Sequence, residues 1–403
     1  MVGVTEVSSA KIVSKVVWSQ DYLSYRFSDS HPMNPIRLDL TMRLAEALNV
    51  CESRDMALIE PFVASDEELA AVHIPEYIAA VHRGAENPSE EIPEFGLGSE
   101  DNPLFPAIHD SAALIAGGSI AAAREIIAGT AQHVVNFAGG LHHAAVAKAS
   151  GFCIYNDAAL AIQELLDHGF ERVLYIDVDA HHGDGTEQIF WNDPRVMTIS
   201  LHESGVSLFP GTGFANETGG PDALGTAVNI AVPSRTSDAG WLRAFHSIVP
   251  QITEQFEPQV IVSQHGCDAH AHDDLTNLRL SVDAQRQNML DIAELAKRFS
   301  NDRWIATGGG GYNVIEVVPR AWTHLMAIAG GQPIPLRTEV PASYREYVLE
   351  TYGVEAPEFM SDGAELWWRS WEVGYDPSDP IDRTIMATRK EIFPLYGLDP
   401  WFD

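Results

Sequence analysis

Short apolar, β-branched runs alternate with amphipathic stretches along most of the chain, and no other feature restricts its fold as strongly. Strands are expected at residues 11–18, 134–137, 172–177, 196–201, 259–264 and 303–307. Helices are expected at residues 37–48, 65–81, 108–127, 157–168, 241–256, 283–299 and 314–329, the second opening with a Ser65-x-x-Glu68 capping box. A parallel strand pair needs a long crossover, and a helix supplies it. The alternation therefore predicts an α/β chain with a single main domain, a central parallel sheet and helices on both faces. That domain is placed at residues 10–330. Beyond it, Pro333, Pro335, Pro341 and Pro357 punctuate a segment that still holds Trp367, Trp368, Trp371 and Trp401. Disordered tails avoid aromatic residues, so 331–403 is expected to be a Trp-rich extension packed on the domain.

Charge and cysteine usage narrow the function. Lys and Arg total 25 against 57 Asp and Glu, a net charge of −32, and only Lys11, Lys15, Lys148, Lys297 and Lys390 are lysines. With no basic run to release counterions, a nucleic-acid partner is excluded. The same excess would attract cationic substrates or simply solvate the surface. Cys51, Cys153 and Cys267 form neither a disulfide framework nor a zinc-finger spacing, which fits a reducing cytoplasm. Residues 1–20 hold apolar stretches broken by Glu6, Lys11 and Lys15, and 115–135 contains Arg124, Glu125 and His133. Neither a secretion signal nor a membrane span is expected.

Ligands of such sheets bind beyond the carboxyl ends of the strands, and polar residues cluster there. Run 173–177 leads into Asp177, Asp179, His181, His182 and Asp184. Period-two geometry on an extended backbone would set Asp177, Asp179 and His181 on one side, where carboxylate and imidazole suit a divalent metal. Run 260–263 ends in Gln264-His265-Gly266-Cys267-Asp268, so Asp268 can add a third ligand, with Cys267 turned to the core. Three protein ligands leave an open position, the mark of a catalytic site. After run 134–137 come Gly139, Gly140, Leu141, His142 and His143, a histidine pair in a glycine turn suited to acid–base work. Asp177 and Asp184 are available to accept its Nδ1 protons. Gly308 to Gly311 then present Tyr312, whose phenol can donate to a developing oxyanion.

Together these residues resemble the zinc-dependent histone deacetylase family, class I-like, within the arginase/deacetylase fold, over residues 15–330. The resemblance rests on His31-Pro32-Met33-Asn34-Pro35-Ile36-Arg37, the 139–143 turn, Gly151-Phe152-Cys153-Ile154-Tyr155-Asn156-Asp157, the 177–185 stretch, Phe209-Pro210-Gly211-Thr212-Gly213 and 308–313. Gln264 to His270 is closest to the bacterial acetoin-utilisation, or AcuC, type. It implies Zn²⁺, with Fe²⁺ as the alternative, on Asp179, His181 and Asp268. It also implies His143 as general base and acid, with His142 as its electrostatic partner. Asp184 and Asp177 would hold the two histidines, and Tyr312 would polarise the acetyl carbonyl. Gly151, Phe152 and Phe209 would line a channel for acetyl-lysine, Asp101 would hold the substrate backbone at the rim, and Arg37 would stand at the foot of an acetate-release pocket. A K⁺ ion would sit near Asp177, the carbonyls of Asp179 and His181, Ser200 and Leu201. Leu208 stands where many class I enzymes carry a second aromatic, which implies a more open rim. The expected activity is removal of acetyl groups from N-ε-acetyl-lysine of a protein or peptide in acetoin or acetate metabolism. The rivals are an acetylpolyamine amidohydrolase and a non-catalytic acetyl-lysine-binding regulator.

Overall fold

The computed structural model describes residues 14–53 and 55–403. Among them, eight strands form one sheet: β1 (Ser14–Val17), β2 (Met56–Ile59), β3 (His133–Asn136), β4 (Val173–Asp177), β5 (Val196–Glu203), β6 (Ala227–Val232), β7 (Val260–Gln264) and β8 (Trp304–Thr307). Their order is β2-β1-β3-β8-β7-β4-β5-β6, and every neighbouring pair is parallel. The helices are α1 (Ile36–Ala47), α2 (Asp66–Leu69), α3 (Pro75–Glu86), α4 (Ile108–Ile127), α5 (Asp157–Asp167), α6 (Asp184–Ile189), α7 (Asp238–His246), α8 (Val249–Phe256), α9 (Val282–Phe299), α10 (Val318–Ala329), α11 (Ala342–Tyr352) and α12 (Pro380–Ile392). Helices α4 and α5 pack together on one face, while α1, α9 and α10 cover the other. This is the α/β arrangement expected from the alternation.

Burial explains which strands stand out in the sequence. Every residue of β4 and β7 is buried, as central strands covered on both faces must be, and their sequences are almost unbroken apolar runs. Strand β2 at one edge leaves Leu58 exposed, and the sequence reading had no strand there. Strand β6, at the other edge, is a second strand that the reading did not assign. The strand expected at 11–18 is seen as Ser14–Val17; residues 11–13 lie outside the described residues.

Two expected helices are each divided. The capping box between Ser65 and Glu68 is formed, but the helix it opens ends at Leu69, and α3 begins afresh at Pro75. Proline pushes the residue before it out of the helical region, and Ile74 has ψ 146°. The stretch 241–256 divides into α7 and α8, with Pro250 in the first turn of α8, where its missing N–H costs nothing.

Register sets the position of the site. Asn136 pairs with Thr307, Thr307 with Gln264, Gln264 with Asp177, and Asp177 with Ser200. Strands β3, β8, β7 and β4 thus reach one level at their carboxyl ends, and the four polar segments that follow them emerge side by side, with Ser200 of β5 at the same level.

Segment 331–403 runs back over the sheet layers. Helix α11 contributes Tyr344 and Val348 to a small core with Leu40 and Leu44 of α1, and α12 packs on β6 and α7. Arg389 is buried between the rings of Trp371 and Phe393, 4.7 and 4.0 Å from their centroids. Trp368 stacks on His246 at 4.7 Å, whereas Trp367 is exposed. Asp382 is buried and accepts from Arg243 at 2.5 and 2.8 Å and from Arg369 at 2.6 Å. Removing one partner leaves buried charge uncompensated. Asp382→Ala is therefore expected to destabilise the protein by about 3–5 kcal/mol, read from its urea unfolding midpoint, while leaving the distant site geometry intact.

Candidate active site

The chain does not stay extended after β4. Asp177 Oδ1 accepts the N–H of Asp179 at 3.1 Å, and the backbone turns. The single face expected for Asp177, Asp179 and His181 is therefore not formed. Asp177 faces His142 and Tyr175, while Asp179 and His181 meet Asp268 from the end of β7. His181 Nδ1 lies 3.0 Å from Asp179 Oδ1 and 2.9 Å from Asp268 Oδ2. The three residues are buried, and their ligand atoms lie within 4.8 Å of one another. Asp179 Oδ2 accepts from Gln264 Nε2 at 2.7 Å and from Gly310 N at 2.8 Å, and Asp268 Oδ1 accepts from Ala180 N at 2.9 Å.

This donor set fits a divalent cation. Burial and the charge of Asp179 push the Asp268 carboxyl up to about 7, because two carboxylates in one dry pocket resist ionising together. A cation shared with an imidazole relieves that conflict, and two oxygens with one nitrogen are ordinary ligands for such an ion. Cys267 is fully buried and outside the converging set, as expected for a core-facing thiol.

Beside the triad lies the histidine pair. His142 Nδ1 donates to Asp177 at 2.7 Å and His143 Nδ1 to Asp184 at 2.6 Å, with the two Nε2 atoms 3.1 Å apart. Burial works against charge on His142, but the carboxylates of Asp177 and Asp179 outweigh it and lift the pKa to about 9. Burial and the neighbouring charge of His142 push His143 down to about 4, against the pull of Asp184. The pair is thus asymmetric at neutral pH, one imidazolium and one neutral base. Burial, reinforced by the charges of Asp268 and Asp179, raises the Tyr312 phenol well above its ordinary range, so it keeps its proton for donation.

A cavity of about 220 Å³ leads down to these groups, lined by Asp101, His143, Gly151, Phe152, His181, Leu208, Phe209, Leu275 and Tyr312. Phe152 meets Tyr312 edge-on at 5.8 Å, and Phe209 meets His143 at 5.0 Å. Phe152 itself has φ 67°, a strained conformation for an aromatic residue, and Tyr25 Oη donates to its carbonyl at 2.7 Å. Gly151, at φ 50°, lies so close to His143 that a side chain there would strike the ring.

Arg37 is not on the channel wall. Its buried guanidinium lies behind the glycine turn, donating to the carbonyls of Gly309 and Gly311 at 2.8 and 3.1 Å and lying 4.9 Å from the Trp322 ring. Ser200 stands next to Asp177 across β4 and β5, with Leu201 following it, all buried and away from the channel.

Several supporting residues escaped the sequence reading. Leu275 lines the channel, and Asp273 accepts the N–H of Tyr312 at 2.8 Å and that of Leu275 at 3.0 Å. Asp157 accepts the N–H groups of Gly140 at 2.9 Å and Leu141 at 2.8 Å, holding the turn before the histidines. Asp157 closes the Gly151–Asp157 motif of the sequence, which carried no role for it; the 271–276 loop belongs to no such motif.

Residues 31–329 match the Histone deacetylase domain. The chain belongs to the histone deacetylase family. It is 38% identical over 383 residues to the acetoin utilization protein AcuC of Bacillus subtilis (strain 168), covering 94% of this chain and 98% of that protein. AcuC of Staphylococcus xylosus is 37% identical over 330 residues, 81% of this chain and 85% of that one. A solved HDAC homolog from Aquifex aeolicus superposes with TM-score 0.80 at 29% identity, covering 93% of this chain and 100% of that one. An HDAC homolog complexed with SAHA gives TM-score 0.79 at 28% identity, over 94% and 100% of the two chains. The chain is thus a deacetylase-family hydrolase with the arginase/deacetylase fold, and the family is metal-dependent.

Gly310 provides a test of the metal pocket. Its N–H reaches Asp179, and a methyl group in place of its hydrogen would collide with the Asp268 carboxylate. Gly310→Ala is expected to weaken divalent-metal affinity by about 10–100-fold, the scale of losing a group that orients a ligand, measured by competition with a chromophoric chelator.

Proposed function

We propose that the chain is a zinc-dependent protein-lysine deacetylase, with Asp179, His181 and Asp268 as the metal ligands and Fe²⁺ as the alternative ion. The observation that carries this reading is the channel itself: narrow, with Phe152 and Phe209 in its wall, and floored by His143, His181 and Tyr312. Apolar walls suit the methylene stem of acetyl-lysine, and a floor of polar groups suits its amide.

The bound ion supplies Lewis acidity toward the acetyl carbonyl and the attacking water. Neutral His143 takes the proton of that water through Nε2, its Nδ1–H fixed on Asp184. As His143 becomes charged, Asp184 offsets that charge, while His142 holds the positive field beside it. Tyr312 donates its phenolic proton in a hydrogen bond to the oxygen on which negative charge develops. His143 then returns its proton to the leaving lysine amine. Asp101 at the rim is assigned to the peptide backbone of the substrate, and Gly151 allows that close approach. Arg37, bracing the glycine turn from behind, is assigned to the pocket through which acetate leaves.

The reading extends to the rest of the chain. Residues 10–330 act as the catalytic domain, with 331–403 as an extension docked on it. A K⁺ ion is assigned to Asp177, Ser200 and Leu201. The protein works in the cytoplasm, on an acetylated protein of acetoin or acetate metabolism; no helix among the described residues is long and apolar enough to cross a membrane.

Tyr312→Phe is expected to lower kcat by about 10²–10³-fold on an acetyl-lysine peptide, the usual loss for an oxyanion donor, and unchanged turnover would remove Tyr312 from the reaction. Chelation should abolish activity, and Zn²⁺ or Fe²⁺ should restore it. Faster turnover of acetylspermidine than of acetyl-lysine peptides would favour a polyamine amidohydrolase, and no turnover of either after metal loading would favour a binding protein.

A further inference from the structure

Outside the channel, three helices bring together Asp66 (α2), His82 (α3) and His109 (α4). His82 Nε2 lies 3.0 and 3.2 Å from the two Asp66 oxygens, and His109 Nε2 lies 3.9 Å from Asp66 Oδ1. The imidazoles stack with centroids 3.6 Å apart and planes 27° apart, and one ligand atom from each residue lies within 4.8 Å of the others. We propose that Asp66, His82 and His109 form a second, solvent-accessible site for a borderline divalent transition metal such as Zn²⁺.

A hydrogen bond from His82 to Asp66 accounts for that pair but not for His109. At 3.9 Å the His109 Nε2 is beyond hydrogen-bonding distance of the carboxylate, yet it faces the same oxygen. Two stacked imidazolium rings repel each other, so at least one ring is neutral and offers a lone pair. Ligating histidines usually anchor their second nitrogen on an oxygen, which fixes tautomer and ring orientation. His109 has that anchor, its Nδ1 lying 3.0 Å from Tyr155 Oη. Two imidazoles and one carboxylate favour zinc, copper or nickel over magnesium or calcium. The ion has a path in, because Asp66 and His82 line an open cavity of about 620 Å³ that also carries Glu67 and Glu86. In the stacked arrangement the two ring lone pairs run nearly parallel, so binding requires the exposed His82 ring to rotate toward His109 and Asp66 to close on the same ion. Bound there, it ties α2 and α3 to the long helix α4. None of the three residues lines the catalytic channel, so this site stands apart from the proposed deacetylase chemistry.

Equilibrium dialysis of the full chain against Zn²⁺ tests the site. His82→Ala and Asp66→Ala should each bind one Zn²⁺ per chain fewer than wild type, with peptide deacetylation unchanged. Tyr155→Phe, which keeps all three ligands, should weaken the same ion by about 10–100-fold. In wild type, substoichiometric Ni²⁺ should broaden the imidazole proton resonances of His82 and His109, a readout that needs no variant to fold. Equal Zn²⁺ stoichiometry in wild type and folded His82→Ala, or undisturbed His82 and His109 resonances with Ni²⁺ in excess, would overturn the proposal.

Discussion

Two carboxylates, Asp179 and Asp268, are buried just beyond the ends of adjacent strands, and the donors around them offset part of the cost of charging both. Side-chain and backbone donors from three segments converge on them: Gln264, Gly310 and Ala180. His181 offers a third atom that could join them in holding a cation. Glycine at 310 follows from this crowding, because the strand-end turns approach the carboxylates too closely for a side chain. A buried pair of anions is costly unless a cation joins it. The pocket therefore makes most physical sense as one half of a metal site.

Neighbouring charge separates two chemically identical side chains that are equally buried. His142 and His143 are adjacent in sequence, each with a carboxylate on Nδ1, yet their pKa values move in opposite directions, to about 9 and about 4. His142 faces the carboxylates of Asp177 and Asp179, while His143, just as buried, meets the positive charge of His142 and has Asp184 to oppose it. Environments that push two pKa values apart allow the two groups to take different acid–base roles. The apolar channel above the pair preserves this contrast by limiting how much water can screen it.

The strands most legible in the sequence were those at the centre of the sheet. Strands β4 and β7 are covered on both faces, so their apolar runs are unmistakable, whereas β2 and β6 lie at the edges and went unassigned. Periodicity located helical material at 65–81 and 241–256 but overlooked the breaks near Pro75 and Pro250, where each proline stands in the first turn of a new helix, the place that tolerates its missing N–H. At the site, the ligand types and the histidine pair stood out as polar residues directly abutting apolar strands. Leu275 and Asp273 did not, because loop residues acquire a role only from what they come to lie beside.

The local sequence determined the inventory: which strands would be central, which polar groups would stand at their ends, and which glycines would turn the chain there. It could do so because apolar runs and turn-forming glycines are written in short stretches of the chain. Only the tertiary structure decided that Asp177 turns toward His142, that Arg37 braces the glycine turn from behind, and that Asp66, His82 and His109 meet. Those outcomes depend on the strand order β3-β8-β7-β4 and on how helices far apart in sequence cross. Long-range pairing of that kind leaves no periodic trace in the residues it brings together.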